Sequence, residues 1–305
     1  MSWDPRALPS LAGRTVVVTG GNAGIGYFIS EQLAGAGARV VIASRSAEKT
    51  DAAMRSIRLR VPGAELAHVP LDLTSLSSVR EAATALAAYR PLHGLVNNAG
   101  LVLTPRHRAT TVDGVELAIG GNFLGHFALT ALLFPALAPD ARVVGLGSLS
   151  TRMSRLHPDD LWSEHAYARF RAYAASKHAV QIFGFELARR LDAVGDARRS
   201  LIAHPGWATS AYASPRPGIT DRNPAPGRVF ERLTGWVGQG KDRGAWEPVR
   251  AFADPDAPNG GYVAPRFGLA GAPVLMHAPA RSTDPELGAA VWADAESRSG
   301  VRFPV

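Results

Sequence analysis

A doubly wound, three-layer α/β sandwich on a parallel β-sheet is the fold this sequence predicts. Two observations carry that reading: short β-branched runs alternate with longer segments of helical apolar spacing, and a glycine-rich turn joins the first such pair. A third bounds it. With 305 residues, 46% of them hydrophobic and 19% charged, the chain has apolar material for one large core and no charge excess to hold it open.

Taken in order, Val16–Val18 is the first strand and Ile25–Leu33 the first helix. Strands follow at Arg39–Ala43, Leu66–Val69, Leu95–Val96, Arg142–Val144 and Leu201–Ala203, with a helix at Val79–Leu86 between two of them. Parallel pairing requires right-handed crossovers that cover both sheet faces, and ligands then sit beyond the carboxyl ends of the strands. The stretch 117–139 carries no formal charge and is long enough on count to span a bilayer. It also holds Gly120, Gly121, Asn122, His126, Pro135 and Pro139, so it predicts a helix between protein layers.

Beyond Ala203 the pattern changes. Residues 205–245 mix Pro215, Pro217, Pro224 and Pro226 with Trp207, Tyr212, Phe230 and Trp236, which predicts a lid over an apolar pocket instead of a linker. Residues 246–305 complete the same domain, with a helix around Trp246–Phe252, a short strand near Tyr262 and a helix around Glu286–Ala295. The whole of 1–305 is expected to be one domain.

The absence of cysteine excludes disulfides, thiolate metal sites and cysteine nucleophiles. None of the nine histidines forms a helical His-Glu-x-x-His pair, so no metal is expected. His204 and His178 border the motifs below and read as structural. All but three of the 33 basic residues are arginines scattered singly or in pairs, which argues against a nucleic-acid partner despite the net charge of +7. A basic surface does favour a polyanionic ligand. The N-terminus has an early acid, two prolines and no unbroken apolar core, so it is not read as a secretory signal, and the cytoplasm is the expected compartment.

Thr19-Gly20-Gly21-Asn22-Ala23-Gly24-Ile25-Gly26 follows the first strand and opens the first helix, where glycines let a dinucleotide pyrophosphate approach unpaired amides. The second strand ends Ala43-Ser44-Arg45-Ser46, without the acid that would hold both ribose hydroxyls. An arginine there would pair with a 2′-phosphate, favouring NADP(H) while leaving NAD(H) open. Asp72-Leu73-Thr74-Ser75 and Asn98-Ala99-Gly100 follow the third and fourth strands; the first of these also reads as a turn and N-cap for the helix that holds Val79 and Leu86. Tyr173 and Lys177 share a helix face, and an ammonium one turn away would stabilise the phenolate of a group with reference pKa near 10. At the end of the fifth strand Ser148 and Ser150 alternate on one side of an extended chain, so spacing leaves both as candidates for holding a carbonyl oxygen.

Together these residues resemble a short-chain dehydrogenase/reductase of the compact, Rossmann-type form. The likeness covers nearly the whole chain: T-G-x-x-x-G-x-G at Thr19 to Gly26, the Asn98 turn, Ser148 with Tyr173-x-x-x-Lys177, and Pro205-Gly206, all in the family's order. Asn22-Ala23, Ser44-Arg45, Gly125-His126-Phe127 and the Ser148–Tyr173 interval are similar to the retinol-dehydrogenase and protochlorophyllide-reductase-like branch. That branch mostly uses NADP(H) and handles bulky apolar substrates. The resemblance implies Tyr173 as acid/base, Lys177 as its partner and ribose ligand, Ser148 as orienter of the substrate oxygen, and Asn122 as holder of a relay water. It implies cofactor contacts from Gly20, Asn22, Gly24, Ile25 and Gly26, from Asp72 and Leu73 at adenine, from Asn98, Ala99 and Gly100 at ribose, and from Pro205, Gly206 and Ser210 near the carboxamide.

The implied activity is NADP(H)-dependent interconversion of a carbonyl and an alcohol on a bulky, largely apolar small-molecule substrate, with Trp207 and Tyr212 bordering it. A homo-oligomer is compatible with the family. Reduction of a polarised C=C bond and a non-catalytic NADP(H)-binding regulator are the alternatives. Gly145-Leu146-Gly147-Ser148 stands where the family's strand usually reads Asn-Val-Ser-Ser, and Gly120-Gly121 precede Asn122 where bulkier residues are expected. The added glycines loosen the backbone beneath two of the implied site residues.

Overall fold

The computed structural model describes residues 3–102, 104–219 and 238–305. The alternation predicted from sequence is present. The first half runs β1 (Thr15–Thr19), α1 (Gly24–Gly35), β2 (Arg39–Ser44), α2 (Ala47–Arg60), β3 (Leu66–Pro70), α3 (Leu76–Ala87) and β4 (Leu92–Asn97). The 117–139 stretch becomes α4 (Leu117–Ile119), a π-helical turn (Gly120–Leu124) and α5 (Gly125–Leu133). Then come β5 (Leu137–Leu146), α6 (Ser150–Met153), α7 (Arg169–Ala193) and β6 (Arg199–Ala203).

Among the described residues eight strands form one sheet, in the order β10-β9-β6-β5-β4-β1-β2-β3, with β9 (Tyr262–Pro265) and β10 (Pro273–Met276) at one edge. Every pairing in it is parallel except β9 with β10. Because β1 lies between β2 and β4, the strand order reverses there and opens a crevice beyond the carboxyl ends of β1 and β4.

Strand alternation divides the core between the two faces. Val17, Val41, Leu95 and Val143 point into one cluster, while Val16, Val18, Val40, Ile42, Val96 and Val144 point into the other. On the first face Phe127 packs edge-on against Trp292 at 5.4 Å and Phe183 at 5.3 Å. Trp292 belongs to α10 (Pro285–Ser299), so the chain's own C-terminal helix covers α5 and α7. The apolar stretch Leu117–Ala136 is therefore 89% buried within protein.

The described flanks of 205–245 form a short parallel ladder, β7 (Ala208–Thr209) with β8 (Gln239–Gly240), followed by α8 (Lys241–Gly244) and α9 (Trp246–Ala253). Pro224, Pro226, Phe230 and Trp236, four of the residues on which a lid was expected, lie outside the described residues. The antiparallel β10 was not anticipated; its only sequence signal is the short run Pro273–Met276.

Candidate active site

The glycine-rich turn has the shape a pyrophosphate needs. Gly20 and Gly24 adopt φ of 64° and 59°, and a Cβ on Gly26 would stand 2.3 Å from the Gly20 carbonyl and 2.4 Å from Asn98 Nδ2. Helices α2 and α3 are capped by the side chains of Ser46 and Ser75, whereas Ala23 offers no side-chain cap to α1. The amides of α1 thus face the crevice without a built-in acceptor, which suits an anionic ligand. Lys241 stands beside this turn, its Nζ 3.9 Å from where a Cβ on Gly24 would lie. Sequence reading missed it, because only the tertiary fold brings α8 to α1.

The Asn98 turn is locked to β1. Asn98 Nδ2 donates to the Thr19 carbonyl at 2.8 Å, and the Asn98 and Ala99 amides donate to Thr19 Oγ1 at 2.9 and 3.0 Å. Beyond that hydroxyl lies His126, buried, with Nε2 2.9 Å from Thr19 Oγ1 and Nδ1 2.9 Å from the Asn122 carbonyl. Burial, aided by the charge of Lys177, pulls this imidazole down to about 4, so it is neutral at physiological pH. His126 appeared in the sequence only as part of the Gly125-His126-Phe127 resemblance; its link to Thr19 spans 107 residues.

Tyr173 and Lys177 lie four residues apart on α7, and the phenol donates to Ser148 Oγ at 3.3 Å. The geometry chooses Ser148 over Ser150. Strand β5 ends at Leu146, and the chain turns into α6 before Ser150, so the two serines do not alternate along an extended strand. Ser150 is buried and its amide donates to Ser148 Oγ at 3.2 Å.

One expectation is corrected here. Burial pushes the Tyr173 phenol above its usual value of 10.0, and the Ser148 hydrogen bond pulls it only partly back. The Lys177 ammonium donates instead to the Leu146 carbonyl at 3.0 Å, and its own burial lowers it to about 8. The phenol is therefore protonated at neutral pH.

Asn122 sits in the π-helical turn, 1% exposed, and its side chain is fully engaged. Oδ1 accepts from the Leu101 amide at 2.7 Å, while Nδ2 donates to the Leu101 carbonyl at 3.2 Å and to Ser176 Oγ at 2.9 Å. It clamps the segment after β4 to α7, and Gly100 between them leaves room: a Cβ there would lie 3.4 Å from Asn122 Oδ1 and 3.5 Å from Lys177 Nζ. The glycines before Asn122 are tightly packed, since a Cβ on Gly120 would meet Thr111 Cγ2 at 2.5 Å.

The remaining predicted residues divide. Arg45 is exposed after β2, but the Ser44 hydroxyl is committed to Thr50 Oγ1 at 2.6 Å. Asp72 Oδ1 accepts from the amide and hydroxyl of Thr74, at 2.9 and 2.7 Å, and Ser75, the last residue of the turn read as an N-cap, caps α3. Leu73 packs on α5, where a Cβ on Gly125 would stand 2.4 Å from its carbonyl. Gly206 has φ of 67° and brings the chain after Pro205 against the Leu269 carbonyl. Trp207 is half-buried and its amide donates to that carbonyl at 2.8 Å, Ser210 opens a 3-10 turn, and Tyr212 is 46% exposed. Among the described residues no cluster of His, Cys, Asp or Glu is arranged to hold a metal.

The pattern of the short chain dehydrogenase family matches residues 14–211. Polyprenol dehydrogenase of Mus musculus is 41% identical over 261 residues, covering 83% of this chain and 75% of that protein. Human retinol dehydrogenase 12 is 40% identical over 199 residues, 64% of this chain and 62% of that protein. A solved structure from Mycobacterium paratuberculosis superposes with a TM-score of 0.80 at 36% identity, covering 100% of both chains. A short chain dehydrogenase from Burkholderia cenocepacia, in complex with NADP, superposes with a TM-score of 0.62 at 27% identity over 80% of this chain and 91% of its own.

Proposed function

This chain belongs to the short chain dehydrogenase family and is an alcohol/carbonyl oxidoreductase; on that premise we propose that it uses NADP(H) to reduce the carbonyl of a bulky, apolar isoprenoid-type substrate. The observation that carries the proposal is the Tyr173 phenol donating to Ser148 Oγ at 3.3 Å, one helical turn from a buried Lys177. Polyprenol and retinol, in the names of two relatives, are both apolar isoprenoid alcohols, which supports the substrate class.

When bound, the cofactor supplies the hydride that adds to the carbonyl carbon. The chain's residues do the rest. Ser148 holds the substrate oxygen, and Tyr173 delivers its proton to that oxygen as the negative charge develops. A neutral phenol is in the right state to act as an acid, as the reducing direction requires. Lys177 holds positive charge below the phenol and stabilises it once the proton has left; it would also bind the nicotinamide ribose. Asn122 fixes the segment that carries Gly100 and would hold a relay water.

The glycine turn with Asn22 and Ile25 would take the pyrophosphate, Asp72 and Leu73 the adenine, and Asn98 to Gly100 the ribose. Pro205, Gly206 and Ser210 would flank the carboxamide. Arg45 would meet the 2′-phosphate, and that preference rests on its side chain and not on Ser44. Trp207 and Tyr212 would border the substrate. We place the reaction in the cytoplasm, which the burial of Leu117–Ala136 supports.

The test is a cofactor-monitored assay with retinal, farnesal and a saturated medium-chain aldehyde, each with NADPH and NADH. Alcohol formation faster with NADPH is expected. Tight NADPH binding without turnover of any carbonyl would overturn the enzyme reading in favour of a regulator, and a product with the carbonyl intact and the C=C bond saturated would favour the enone reductase.

A further inference from the structure

The glycine that replaces a bulkier residue just before Ser148 has a partner. Gln181 lies one helical turn beyond Lys177 on α7, is 0% exposed, and reaches beneath the turn that carries Ser148. A Cβ on Gly147 would stand 2.9 Å from Gln181 Nε2, so that amide fits only because residue 147 has no side chain.

The hydrogen bonds around Gln181 have one consistent arrangement. Thr151 Oγ1 donates to the Ser148 carbonyl at 2.8 Å, and a carbonyl can only accept, so the single proton of that hydroxyl is used. Thr151 Oγ1 must then accept from Gln181, which places Nε2 toward it at 3.2 Å. The other end, Oε1, accepts from Ser282 Oγ at 3.0 Å, in the 3-10 turn Ala280–Ser282 that precedes α10. The result is a connected path from the C-terminal segment through Gln181 and Thr151 to the backbone of Ser148, whose hydroxyl meets the Tyr173 phenol.

We propose that Gln181 is a positioning residue for the acid/base pair: by holding Thr151, with Gly147 making room for it, it sets the Ser148 turn and hence the hydrogen bond that Ser148 makes to Tyr173. This rests on the function proposed above for the pair. The loosening expected of a glycine at 147 is offset by a buried amide that ties the turn down.

The experiment compares wild type with Gln181→Leu, Thr151→Val, Thr151→Ser and Gly147→Ala, and with Gly147→Ala placed in a Gln181→Ala background. Two readouts are used: the phenol's titration, followed by ultraviolet difference spectra against Tyr173→Phe, and the split between kcat and NADPH affinity. Gln181→Leu and Thr151→Val should each move the phenol's titration to higher pH and lower kcat about tenfold, with the NADPH Kd within about twofold of wild type. Thr151→Ser, which keeps the hydroxyl, should behave as wild type. Gly147→Ala should reproduce the loss in the wild-type chain and cost less where Gln181 is already alanine, because of the close side-chain contacts only Ile202 Cγ2, at 3.2 Å from the new methyl, then remains. An unmoved phenol titration in both Gln181→Leu and Thr151→Val, or full additivity of Gly147→Ala with Gln181→Ala, would overturn the assignment. Because the titration needs no substrate, it decides the matter even if the wild-type chain turned over no carbonyl, an outcome that would sink only the functional proposal.

Discussion

His126 Nε2 lies 2.9 Å from Thr19 Oγ1, joining the helix that follows Asn122 to the first strand of the sheet. The proton positions follow from what each partner can do. The Asn122 carbonyl only accepts, so Nδ1 carries the proton of the neutral ring; Nε2 therefore accepts from the Thr19 hydroxyl, which in turn takes the two amides of Asn98 and Ala99. His126→Phe removes two hydrogen bonds from a buried site, at about 0.5–1.5 kcal/mol each, while the Thr19 hydroxyl keeps the two amides and can turn its proton to the Val96 carbonyl at 3.3 Å. NADPH binding should weaken about tenfold, measured by fluorescence titration. An unchanged Kd would mean that the Asn98 turn keeps its shape without the ring.

Replacing Tyr173 by Phe removes one oxygen and little volume. Turnover should fall by about 10² to 10⁴, the range for losing a general acid, while NADPH affinity stays near wild type. Stopped-flow reduction of a carbonyl together with calorimetric titration separates the two effects, and residual activity above a tenth of wild type would remove the phenol from the mechanism.

Lys177 lowers the stability of the fold it serves. Its amine is at about 8 in the native state against 10.5 unfolded, so between these pH values the unfolded chain binds more protons and stability rises with pH. The penalty is fully present below about pH 8 and gone above about pH 10.5. Lys177→Met should thus abolish activity yet stabilise the protein at pH 7 by roughly 2 kcal/mol, after allowing for the lost bond to the Leu146 carbonyl. Urea unfolding at pH 7 and pH 10 should show the gain shrinking at the higher pH.

Glu247 behaves in the opposite sense. It is fully buried in α9, and desolvation pushes its carboxyl up to about 8 from 4.5. The native state then holds a proton that the unfolded chain gives up, and stability falls as pH rises from about 4.5 to about 8. Glu247→Gln should leave stability unchanged near pH 4 and raise it by roughly 3–5 kcal/mol at pH 8 and above. Thermal unfolding of both proteins across this range checks it; equal Tm differences at pH 4 and pH 8 would contradict the assignment.

Arg45→Asp places a carboxylate where the sequence lacks one. The 2′-phosphate would lose its charge-assisted partner and gain a repulsive one, so kcat/KM with NADPH should drop about 10- to 100-fold while that with NADH holds or rises. If NADPH and NADH fall equally, Arg45 is surface charge alone.

Much of this protein is legible in local order. The glycine turn, the strand ends and the Tyr173–Lys177 spacing involve residues close in sequence, and periodicity placed them on their elements. Other points were left to the fold. Spacing kept Ser150 beside Ser148 because the bend after Leu146 is not visible in it; the Ser44 hydroxyl turns to Thr50; and within the Asp72–Ser75 turn it is Ser75 that caps α3. Each depends on which way a short polar side chain turns, and Ser, Thr and Asp have several local partners to choose from.

By itself, then, the sequence determined the parallel α/β architecture, the crevice and the residue types that face it, because apolar period and glycine placement act over a few residues. The tertiary structure decided which groups are dry. Lys177, His126, Glu247 and Gln181 owe their charge state or their orientation to burial among segments far away in the chain, and desolvation is a property of the packed neighbourhood that no short stretch of sequence contains.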